Sequence, residues 1–76
     1  MVNNNIEIIQ INISGEDKPG LTSSLTEILA RHDAFILDIG QANIHRSLTL
    51  GILFMTTSER SGQIMKELLF KASEMN

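Results

Sequence analysis

The segment Ile13-Ser14-Gly15-Glu16-Asp17-Lys18-Pro19-Gly20-Leu21 gathers the groups best suited to holding a small charged molecule. An Ile-rich stretch ends in a polar turn, and an apolar helical period opens at Leu21. A helix starting there points its first N–H groups, and the positive end of its dipole, at whatever occupies the turn. That suits a carboxylate, while Asp17 can hold an ammonium group by a charge-assisted bond. The same residues have a structural reading: Asp17 as helix cap, Pro19 as first helical residue, Gly20 as room for helix against strand. The two readings are compatible.

Asp38 and Gln41 form a second candidate pair. Three apart, they fall on opposite faces of a regular strand. They either complete a site from a partner subunit or satisfy an exposed face or edge. His32 suits the last turn of a helix, where positive charge complements the dipole, and His45 sits beside Arg46 at a strand end. Neither has a second ligand nearby, so no metal site is expected. Thr22, Ser23 and Ser24 offer hydroxyls without a candidate base close in sequence, and read as groups that bond nearby backbone. An acylphosphatase-like loop would want Arg where this chain has Lys18. No catalytic residue and no cofactor are expected.

The elements that must position these groups follow from periodicity. Ile6, Ile8, Ile9, Ile11 and Ile13 make a first strand whose alternation slips once, as a bulge or a lead-in. Leu21, Leu25, Ile28 and Leu29 mark one face of a helix from about Gly20 to His32. Asp33-Ala34 reads as a turn, and Phe35 to His45 as a second strand in which Phe35, Leu37 and Ile39 alternate against Ile36 and Asp38. Arg46-Ser47 is short enough for a hairpin loop. Leu48, Leu50, Ile52 and Phe54 alternate in a third strand, 57–62 reads as loop, and Ile64, Met65, Leu68, Leu69, Ala72 and Met75 give a second helix. Met55, Met65 and Met75 read as core or interface filler, and Asn3-Asn4-Asn5 as a flexible lead.

The order β-α-β-β-α is that of an α+β, ferredoxin-like split β-α-β domain with its final strand missing. The first strand then offers an edge to another chain. Two helices cover one face of such a sheet, so Leu53 and Met55 on the other imply a homodimer or an interdomain contact.

Composition bounds the partners. The 76 residues make one small domain, 42% apolar, with a mean hydropathy of +0.05. A net charge of −3 with six scattered Lys and Arg argues against nucleic acid and anionic membranes. Three Phe with no Tyr or Trp leave no stacking surface for RNA. There is no Cys, hence no disulfide or thiolate chemistry. No apolar run approaches a membrane span and the start is not a signal peptide, which makes the cytoplasm the expected location.

Asp17-Lys18-Pro19-Gly20-Leu21 resembles the Asp-(Arg/Lys)-Pro-Gly-Leu signature of ACT domains, and Ile36-Leu37-Asp38-Ile39-Gly40-Gln41 resembles their second-strand signature. More closely, residues 14–76 are similar to the amino-terminal ACT domain of bacterial phosphoserine phosphatases, through 33–42 and 65–72. Formyltetrahydrofolate deformylases and glycine-cleavage regulators carry similar signatures. The resemblance implies a regulatory domain, residues 1–76, from the amino-terminal end of a longer enzyme. It implies an amino-acid effector, L-serine as pathway product, bound by Asp17, Lys18, Pro19, Gly20, Leu21, Asp38 and Gln41. It also implies a homodimer acting on a catalytic domain whose residues lie beyond Asn76. A pure dimerisation scaffold is the alternative.

Overall fold

The computed structural model describes residues 5–75, without the side chain of Met75. Met1 to Asn4, including Asn3 and Asn4 of the polar lead, lie outside the described residues, as does the Met75 side chain. The elements are β1 (Ile6–Glu16), α1 (Leu21–Arg31), β2 (Phe35–Ile44), β3 (Ser47–Thr57) and α2 (Ser58–Met75), in the order expected from periodicity. The strands form one antiparallel sheet of order β1-β3-β2, so β3 is central and β1 and β2 are its edges.

Alternation in β3 builds the core. Leu48, Leu50, Ile52 and Phe54 turn to the helices and are buried, against Leu21, Leu25, Ile28 and Leu29 of α1 and Ile64 and Leu68 of α2. Burying each such side chain contributes about 2 kcal/mol. Ile9, Ile11 and Ile13 of β1 and Ile36 of β2 pack at the margin of this cluster.

The slip in the β1 pattern is neither a bulge nor a lead-in. Pairing with β3 runs unbroken from Ile6↔Thr57 to Glu16↔Ser47. Ile9, Ile11 and Ile13 share the core side, whereas Ile6 and Ile8 occupy the opposite face, 64% and 63% exposed. The bulge lies in β2, between Ile36 and Asp38. It shifts the phase by one residue. Ile36 and Ile39 pair with the core residues Phe54 and Ile52, while Phe35 and Asp38 pair with Met55 and Leu53 on the open face. The simple alternation expected for 35–39 is therefore wrong beyond Leu37.

Two boundaries also differ from the sequence reading. The hairpin loop is His45-Arg46, one residue earlier, with φ 59° at His45. Residues 58–62 are helix rather than loop, because α2 begins directly after β3. Its polar first turn is anchored from outside the helix. The Ser58 N–H donates to the Asn5 carbonyl, and Arg60 Nη1 donates to the His32 carbonyl and to Asp33 Oδ2. Glu59 adds a favourable charge at the positive end of the dipole.

The turn after α1 centres on His32-Asp33, not Asp33-Ala34. Asp33 adopts φ 56°, its N–H bonds the Ala30 carbonyl, and the Ala34 N–H bonds the Leu29 carbonyl. These are the two bonds of a Schellman ending, with Asp where glycine is usual. His32 is the C-cap of α1, and its Nε2 lies 2.7 Å from Glu67 Oε2 of α2.

Candidate functional site

Lys18-Pro19-Gly20-Leu21 is a type II turn. The Leu21 N–H donates to the Lys18 carbonyl at 3.2 Å, Pro19 takes the position that favours a fixed φ, and Gly20 has φ 82° and ψ 0°. Gly20 is also the N-cap of α1, and no side chain caps the helix. Asp17 is therefore not the cap, and Pro19 precedes the helix instead of starting it. A Cβ on Gly20 would meet nothing within 4 Å, so glycine is required by its positive φ and not by close packing. The consequence is chemical. The Thr22 and Ser23 N–H groups, which a cap side chain would satisfy, find no partner among the described residues.

Asp17 is tied elsewhere. Its N–H donates to the Arg46 carbonyl of the β2–β3 hairpin at 2.8 Å, which holds the turn against that end of the sheet. Its side chain ends a chain of hydrogen bonds running in one direction. Thr22 Oγ1 donates to Gln41 Oε1 at 2.8 Å, Gln41 Nε2 to Asn43 Oδ1 at 2.9 Å, and Asn43 Nδ2 to Asp17 Oδ2 at 2.7 Å. One donor at each step points toward the carboxylate, so the chain orients both amides and ends on the negative charge of Asp17. Gln41 and Asn43 stand on the core side of β2, opposite Leu50 and Leu48, but beyond the cover of α1, and both are exposed.

The other expected residues divide. Lys18 Nζ lies 3.9 Å from Glu16 Oε2, a contact between exposed groups. Leu21 is buried in the core and serves as the first apolar anchor of α1. Asp38 is on the open face and accepts the Ile39 N–H at its own Oδ1, apart from the chain that joins Thr22 to Asp17. Thr22 bonds a side chain of another element rather than nearby backbone, unlike Thr26, which donates to the Ser23 carbonyl. Asn43 was not singled out in the sequence. Its signal was the alternation Ile39, Gln41, Asn43 on one face, visible once the bulge sets the phase.

The β1 side of the turn is closely packed, with a gap of about 10 Å³ among Ser14, Lys18, Leu21, Leu48 and Ala72. A larger hollow of about 780 Å³, between α1 and α2, is lined by Ile28, Arg31, Lys66 and Phe70 and shares no residue with the turn. Among the described residues, no cluster of His, Asp or Glu is placed to hold a metal ion. No helix among them is long and apolar enough to cross a membrane.

The split β-α-β order and the uncapped turn define a class: the ACT domain model matches residues 7–76, and the chain belongs to that family of regulatory small-molecule-binding domains. Within curated proteins it is similar to phosphoserine phosphatase SerB2 of Mycobacterium tuberculosis (strain H37Rv), 44% identical over 45 residues. That stretch covers 59% of this chain and 11% of the relative, so the chain corresponds to a small part of its length.

Proposed function

We propose that this chain binds a free amino acid, L-serine first among candidates, at the turn 17–21 and the adjoining face of β2. In this reading it is the amino-terminal regulatory domain of a cytoplasmic phosphoserine phosphatase, works as a homodimer, and biases a catalytic domain outside this sequence. The observation that carries the reading is the pairing of opposite polarities. Uncapped N–H groups at Thr22 and Ser23 suit a carboxylate, and the carboxylate of Asp17, at the far end of the Thr22–Gln41–Asn43 chain, suits an ammonium. A zwitterion satisfies both, and neither a simple anion nor a simple cation does. The likeness to a phosphoserine phosphatase supports serine over other amino acids. A ligand held better in one arrangement of the domain shifts the population toward it.

Calorimetric titration with L-serine tests this. Saturable heat is expected, weakened tenfold or more by Asp17→Ala, in line with the roughly 1.5–3 kcal/mol of a hydrogen bond to a charged group. Asn43→Ala should weaken binding less, since it loosens Asp17 without removing it. A folded chain giving no heat with serine, glycine or phosphoserine would defeat the effector reading. The scaffold alternative, favoured by the apolar open face of the sheet, would then stand.

A further inference from the structure

The face of the sheet away from the helices carries one row of large apolar side chains in register across all three strands: Ile8, Met55 and Phe35. Ile8 and Phe35 are 63% and 62% exposed. The next row is Gln10, Leu53 and Asp38, and the one after it Asn12, Gly51 and Gly40. From Ile6 to Asn12 across this face, Asp38 is the one charged side chain among the described residues. Beside it the two glycines leave a shallow hollow of about 240 Å³ bounded by Gln10, Asp38 and Leu53.

We infer that this face packs against the same face of a second copy, about a two-fold axis running along β3. The inference rests on the homodimer proposed above and says which surface forms it. An isologous interface needs a surface complementary to itself. A two-fold along β3 lays β1 of one copy over β2 of the other and keeps the rows matched. Ile8 then meets Phe35 at two equivalent places, and Met55 and Leu53 meet their own copies on the axis. Asp38 meets Gln10, whose amide can donate to the carboxylate oxygen that the Ile39 N–H leaves free. Apolar rows fall on apolar rows, and the lone charge falls on a donor. The other in-plane two-fold, across the strands through the middle Gln10–Leu53–Asp38 row, would instead set Asp38 against Asp38 and Ile8 against Asn12. Two twisted sheets stacked in the first way are the aligned sandwich that sheet faces commonly form, about 10 Å apart. The Asp17–Asn43–Gln41–Thr22 chain stays whole in each copy, because it lies on the other side of the sheet.

Light scattering of the 76-residue chain and three variants tests the surface and the axis together. The wild-type chain should be a dimer. Phe35→Glu and Ile8→Lys, both at exposed positions, should each raise the dimer dissociation constant at least tenfold while circular dichroism stays unchanged. The double variant carries Lys opposite Glu at both contacts, and should recover most of the dimer. A wild-type monomer, or singles that dimerise as well as wild type, would overturn the interface. A folded double no better than the singles would overturn the axis. If a variant fails to fold, Met55→Cys treated with a short bismaleimide decides, since a residue on the axis must couple to its own copy and an uncoupled chain refutes the packing. Serine titration of the monomeric singles reads the effector proposal separately.

Discussion

The two ends of α1 are finished in opposite ways. At its C-terminus the Asp33 and Ala34 N–H groups close on carbonyls of the last turn, and Arg60 reaches across from α2 to the His32 carbonyl. The carbonyls of Ile28, Leu29, Ala30 and His32 are all taken up in this way. At its N-terminus the cap is a glycine without a side chain, and the neighbouring carboxylate of Asp17 is drawn away by Asn43. A Ser, Asp or Thr here would close the helix start with its side chain, for roughly a few tenths of a kcal/mol over glycine. The contrast teaches that one end anchors the helix and the other is left available.

The contrast can be broken most strongly from the closed end. Leu29, in the last turn, is fully buried, so Leu29→Ala should cost about 3 kcal/mol in chemical denaturation. Serine affinity of the molecules that remain folded should be unchanged. At the open end the signs reverse. Gly20→Val forces a β-branched residue into positive φ, at about 2 kcal/mol, and should also abolish serine heat by displacing the Thr22 and Ser23 N–H groups. Were Gly20→Val to bind serine normally, the turn would be structural only. The smallest effect sharpens the closed end further. Asp33→Gly relieves an Asp at φ 56° and should stabilise the chain by about 0.5 kcal/mol, even though it gives up an exposed pairing with Arg60. A loss of stability in thermal melts would mean that the Arg60 contact outweighs the backbone strain.

Much of this was legible in the sequence, for physical reasons. The helical period from Leu21 to Leu29 and the alternation from Leu48 to Phe54 are the two sides of one core, and each states its own geometry. Pro19-Gly20 is a pair that suits a type II turn, and reading Pro19 as the first helical residue missed it: the helix starts after glycine and not at proline. What was hidden depended on partners distant in sequence. The bulge at Leu37 shows only against β3, and without it the face shared by Ile39, Gln41 and Asn43 is misassigned. The first turn of α2 reads as loop because its anchors, Asn5, His32 and Asp33, lie far back in the chain. The Thr22–Gln41 bond links residues 19 apart, and no local pattern marks it.

The hydrogen bond from Asp17 to Arg46 has a further consequence, in the order of opening and closing. The β2–β3 hairpin closes over a two-residue loop, whereas β1 must find β3 from the other end of the chain. Asp17 stands where that late, long-range pairing ends and the hairpin begins. If either the exit of β1 or the hairpin frays, this backbone bond is lost. The amide of Asp17 is therefore a sentinel: its exchange with solvent reports whether the two halves of the sheet are joined.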